Sequence, residues 1–176
     1  MVIRNFVALF GFLFASFFTV AQDGSSAGEL IVLVDPLDEP EFFCFDLAGW
    51  GQRLQLDDPL QAHTCKTRNA DDQLFHFEDN RLKVSTQNLC VQVAGSTGKT
   101  LAGSAVLARP CVDDNPLQDL SFGDDGKVYV GGTDFCIGVG TVSEAAGGPS
   151  HLWRTLKVAV CESHDDNLLT WKRGLN

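Results

Sequence analysis

The residues best spaced for chemistry in this chain are its six cysteines, Cys44, Cys65, Cys90, Cys111, Cys136 and Cys161. A cysteine can ligate zinc, act as a nucleophile or oxidise to a bridge, and spacing separates these uses. Zinc sites draw on short Cys-x-x-Cys or His-x3-His runs, and the sequence contains neither. Instead Cys44, Cys90 and Cys136 recur at intervals of 46 residues, each followed by a second cysteine 21, 21 and 25 residues on. Six cysteines permit many pairings, but a threefold repeat selects the one in which each unit closes its own loop. The predicted bridges are Cys44 with Cys65, Cys90 with Cys111, and Cys136 with Cys161. On the loop-entropy model each stabilises the fold by about 3 kcal/mol.

Other reactive groups lack the company they would need. Adjacent acids at Asp57-Asp58, Asp71-Asp72, Asp113-Asp114, Asp124-Asp125 and Asp165-Asp166 offer oxygen ligands, but no EF-hand spacing surrounds them, and they read as solvated turns. Ser143, Ser150, His151 and His164 stand in no nucleophile motif. The run Gly95-Ser96-Thr97-Gly98-Lys99-Thr100 has the composition of a phosphate loop, with the wrong spacing and no helix to follow. No enzyme activity, cofactor or metal is therefore expected. A net charge of −10, with no basic run to reverse it locally, argues against a nucleic-acid partner.

The elements that must position these residues begin after an N-terminal segment. Arg4, the mostly apolar run from Phe6 to Ala21 and the small residues of Thr19-Val20-Ala21 form a secretion-signal pattern over residues 1–21. The run falls short of the roughly 20 apolar residues that span a bilayer, so an extracellular protein without membrane insertion is expected. Cleavage after Ala21 removes Arg4, the only charge of the segment, leaving −11. Residues 22–29 then form a short leader and 30–176 one domain, in repeats of about 30–79, 80–125 and 126–176.

The repeats share a strand pattern. Asp79-Asn80-Arg81-Leu82-Lys83-Val84 superimposes on Asp125-Gly126-Lys127-Val128-Tyr129-Val130, a hairpin turn followed by alternating apolar residues. Ile31-Val32-Leu33-Val34 is the equivalent strand of the first repeat, and the extra segment from Asp35 to Pro40 is expected as a surface loop. No capped helical stripe interrupts this pattern, which predicts an all-β chain. Four strands per unit suit either a propeller blade or a β-trefoil lobe. Propellers close with four to eight blades, so three units predict the trefoil.

The motifs themselves resemble a family. Phe43-Cys44-Phe45-Asp46, Leu89-Cys90-Val91-Gln92 and Phe135-Cys136-Ile137-Gly138 open the units, and Gln-x-aromatic segments follow the second cysteines. This pattern is similar to that of the ricin B-type (R-type) β-trefoil lectins, which repeat Cys-x-Asp, Gln-x-aromatic-x-Cys and Asn-Gln-x-Trp. The resemblance implies a carbohydrate site in the first repeat alone, made by Asp46, Gln61, His63, Asp72 and Gln73. The carboxylate accepts hydroxyl hydrogen bonds, the amides donate and accept, and a flat ring covers an apolar sugar face. His63 stands where the family has a larger ring and Asp72 where it has Asn, which implies weakened affinity. The implied partners are glycans or glycoproteins bearing galactose-like residues.

Gln92 and Gly138 replace the acid in the other two repeats, so no equivalent sugar site is expected there. Gln118 and Trp171 are structural remnants, with Phe75 or Phe77, Phe122 and Trp171 expected at threefold-related core places. The alternative function is a trefoil whose sugar sites have decayed and whose loops serve protein interaction or inhibition.

Overall fold

The computed structural model describes residues 28–148, 150–163 and 165–175. The expected signal segment 1–21, residues 22–27 of the leader, and His164 lie outside these. The first repeat folds as β1 (Ile31–Leu33), β2 (Phe43–Asp46), β3 (Gln61–Thr64) and β4 (Phe75–Glu78). The second gives β5 (Arg81–Val84), β6 (Leu89–Val93), β7 (Val106–Pro110) and β8 (Leu120–Phe122). In the third, β9 (Val128–Val130), β10 (Phe135–Val139), β12 (Leu152–Val160) and β13 (Trp171–Arg173) repeat the plan, with an added short strand β11 (Glu144–Ala145). Among the described residues, two single 3₁₀ turns, Gly51–Arg53 and Asp166–Leu168, interrupt an otherwise all-β arrangement.

Pairing explains why three repeats suffice. The last strand of each repeat joins the first strand of the next, β4 with β5 and β8 with β9, and β13 returns to β1 with Leu33 opposite Trp171. The two ends of the domain thus meet in one sheet, and backbone hydrogen bonds of Phe75 with Glu29, Leu120 with Asn80 and Trp171 with Gly126 link the repeat-end strands to their neighbours. The middle strands form the hairpins β2–β3, β6–β7 and β10–β12. Local sequence enforces the turns: Glu78 pairs with Arg81 across Asp79 and Asn80, whose φ angles of 50° and 56° suit residues that tolerate a left-handed backbone. At the matching turn Gly126 has φ 81°, and a Cβ there would lie 2.7 Å from the Trp171 carbonyl oxygen.

One core cluster draws on buried residues of all three repeats. Phe75, Leu120 and Trp171 open β4, β8 and β13 and are all buried. Phe45 meets Phe75 and Trp171 edge-on, at centroid distances of 6.0 and 4.5 Å. Phe122 does not take the second repeat's core place as expected. That position goes to Leu120, which stands two residues after Gln118 as Phe75 does after Gln73, while Phe122 sits half-buried against Phe77. The three disulfides form in the predicted pairs, each with Cα atoms about 5 Å apart.

The segment 35–40 is more than a surface loop. Glu39 is buried and accepts a hydrogen bond from Thr64 Oγ1 at 2.6 Å, while Asp38 pairs with Arg154 at 2.5 Å. Arg154 also donates to the Gly140 carbonyl and lies over the Phe43 ring. This network ties the first repeat to the third.

Candidate functional site

Register builds one polar face on β2, β3 and β12. Asp46 lies opposite Gln61, and Gln61 opposite Thr155; His63 lies between Cys44 and Trp153. Because side chains alternate across a sheet, Phe43, Phe45, Ala62 and Leu156 enter the core while Asp46, Gln61, His63 and Trp153 share the opposite face. A cleft of about 590 Å³ opens there, with Asp46, Gln61, His63, Lys66, Trp50 and Trp153 among its lining residues.

Asp46 is fully buried yet well supplied with donors. Its Oδ1 accepts from Gln61 Nε2 at 2.9 Å, and its Oδ2 accepts from Gln73 Nε2 at 2.8 Å and from Lys66 Nζ at 3.1 Å. The same ammonium pairs with Asp72, whose other carboxylate oxygen is buried without a partner. Burial pushes the Asp46 carboxyl above its ordinary value of 3.8, opposed by the Lys66 charge and reinforced by Asp72. One cation thus serves two buried carboxylates, and a site with this excess of acceptors favours a ligand rich in hydroxyl donors. His63 Nδ1 lies 3.0 Å from the Thr64 carbonyl oxygen, which can only accept, so Nδ1 carries a proton, and in the neutral ring Nε2 is the acceptor.

Asp46, Gln61 and His63 therefore line the cleft together. Asp72 and Gln73, buried to 2% and 0% exposure, stand behind it and fix its floor. Gln73 holds Asp46 and the Thr64 carbonyl with its amide nitrogen and accepts the Lys66 backbone N–H with its oxygen. Gln118 repeats this bridge in the second repeat, donating to Gln92 Oε1 and the Pro110 carbonyl and accepting from the Val112 N–H. In the third, a Cβ at Gly138 would meet Leu169, so an apolar contact replaces the polar pair. The carboxylate is confined to the first repeat, and the amide strut is shared by the first and second.

Sequence reasoning missed Lys66, Trp50 and Trp153. Lys66 directly follows Cys65 and carries no signal of its own. Trp50, 64% exposed, belongs to the connection from β2 to β3. Trp153 did have a trace: the third cysteine pair spans 25 residues instead of 21. The longer connection carries β11, which pairs with Leu152 and Trp153, and a turn through Ala145–Gly147 that lines the first repeat's cleft. His151 arrives by the same route and meets His63 edge-on at 5.7 Å.

No known family model matches the chain, and no curated protein is similar to it in sequence. Solved structures are similar in shape. The C-terminal half of an earthworm R-type lectin in complex with GalNAc superimposes with a TM-score of 0.56 at 10% identity, covering 84% of this chain and 98% of that one. The β-trefoil lectin of the Vibrio vulnificus hemolysin/cytolysin, with N-acetyl-D-lactosamine bound, gives 0.52 at 15% identity, covering 86% and 96%. The solution structure of the mdaA-1 domain gives 0.60 at 13% identity, covering 83% and 89%. The fold is a β-trefoil. Its first lobe carries the carboxylate, and the third lobe of the trefoil completes the cleft above it.

Proposed function

We propose that this trefoil is a secreted carbohydrate-binding protein whose domain, residues 30–176, follows a signal segment 1–21 and a leader 22–29. It takes one galactose-like residue of a glycan or glycoprotein into the first-lobe cleft. The observation that carries this reading is the buried, ionisable Asp46 on the floor of a cleft walled by Trp50 and Trp153. Asp46, Gln61 Oε1 and His63 Nε2 are acceptors for sugar hydroxyls, and Lys66 is a charged donor where Asp72 cannot donate. An indole supplies the apolar face that His63 is too small to provide. Asp72 and Gln73 act by holding Asp46 and Lys66 in place. A sugar of the galactose type follows from the resemblance to R-type lectins, and the earthworm and Vibrio neighbours carry related sugars.

A glycan array tests the reading with wild type, Asp46→Asn and Gln92→Ala, each first checked by circular dichroism. Wild type and Gln92→Ala bind galactose-terminated glycans alike, and Asp46→Asn loses at least tenfold. One observation favours a second reading, a decayed sugar site retained for protein interaction: Lys66 already engages both carboxylates. A folded wild type that binds no glycan selects it.

A further inference from the structure

Trp153 belongs to two clefts. Beside the Asp46 cleft a second depression of about 540 Å³ runs along β12, and Gly49, Gln61 and Trp153 line both. Each volume alone falls within the roughly 300–1,000 Å³ that small-molecule sites occupy. The second depression is lined by Gln55, Asp58, Thr155 and Lys157. Among the described residues, neither Asp58 nor Lys157 is held in an ion pair. Among the described residues, no side-chain hydrogen bond of Asp58, Lys157, Gln55 or Thr155 competes with ligand hydroxyls, whereas the polar groups around Asp46 are largely spoken for by one another.

We infer that the two clefts form one groove for an oligosaccharide of at least two residues, its chain crossing the Trp153 indole. This rests on the reading of the Asp46 cleft as a sugar site and adds a second subsite, supplied by the β2–β3 connection and the third lobe. A pyranose presents hydroxyls at its edge and C–H groups on its face, which suits a tryptophan flanked by Lys157, Asp58 and Gln55. Contacts in the second subsite add to affinity without requiring the first to change, because a linked residue binds at the effective concentration its neighbour sets.

Isothermal titration of the full chain with galactose, lactose and a panel of galactose-terminated di- and trisaccharides tests the inference. At least one longer glycan binds tenfold or more tightly than galactose, and Lys157→Ala and Gln55→Ala each pull that ratio toward one. A wild type that binds galactose but gains nothing from any longer glycan overturns the second subsite and leaves the first standing. A ratio that survives both substitutions also overturns it. Failure of every sugar to bind, galactose included, overturns the sugar-binding reading itself and the groove with it.

Discussion

Replacing Lys66 by Met probes the electrostatic arrangement on which the site depends. The ammonium contacts Asp46 Oδ2 at 3.1 Å and pairs with Asp72, and both carboxylates are buried to 2% side-chain exposure or less. Removing one partner of a buried ion pair costs about 3–5 kcal/mol, because the remaining charge is left uncompensated in low dielectric. Lys66 retains 21% side-chain exposure, so water can reach the vacancy, and the expected loss is about 3 kcal/mol, toward the lower end of that range. For a domain of this length that lowers Tm by about 6–12 °C. The loss depends on pH in a definite direction. Lys66 is what restrains the upward shift of Asp46, so the variant's Asp46 carboxyl is raised further. A carboxyl raised in the folded state favours folding below its unfolded value, and that contribution disappears as pH rises through the folded value. The deficit is therefore smallest at about pH 4 and full at neutral pH. Urea unfolding at the two pH values, with disulfides intact, measures it. A deficit under about 1 kcal/mol at pH 7, or one that does not change with pH, refutes the assignment of Lys66 as the shared counter-ion.

On the proposed sugar-binding reading, acid weakens binding before it unfolds the protein, since protonation turns one Asp46 oxygen into a donor and weakens the other as an acceptor, and burial raises this carboxyl above 3.8; titrations from pH 7 to 4 alongside near-ultraviolet circular dichroism check this. Gln118→Ala removes the amide joining Gln92, Pro110 and Val112 and costs about 1–3 kcal/mol in urea unfolding without altering glycan affinity, whereas Gln73→Ala lowers both. Gly126→Ala places a Cβ against the Trp171 carbonyl in a left-handed conformation, and a loss of about 1–3 kcal/mol is expected in the same assay.

The scaffold was legible because it is written in short-range repetition. The 46-residue cysteine interval fixed the lobe count, and Asp79-Asn80 and Asp125-Gly126 marked hairpins whose backbone bears the signature they imply. Asp46, Gln61 and His63 could be placed together because β2 and β3 are neighbours closed by one disulfide. The cleft's other wall was not legible in the same way. Trp153 reaches His63 through pairing between lobes, and nothing in either local segment encodes that register. Aromaticity misled at the second core place, where the interval after Gln118 selects Leu120 over the larger Phe122. Glu39 looked like a loop residue because its partner, Thr64, lies 25 positions away.

The three tryptophans offer the most direct test of the proposed sugar site. Trp50 and Trp153 line the first-lobe cleft, while Trp171 is buried in the core with its indole N–H donated to the Ile137 carbonyl at 2.9 Å. Two-dimensional ¹⁵N–¹H NMR of the folded protein resolves the indole N–H signals, and galactose or a galactose-terminated glycan can be titrated against them. The sugar-binding account predicts saturable shifts at Trp50 and Trp153, accompanied by the Lys66 and His63 amides, with Trp171 unmoved and the response lost in Asp46→Asn. Shifts confined to the second lobe around Gln92, or no shift with any glycan while the fold remains intact, would contradict it.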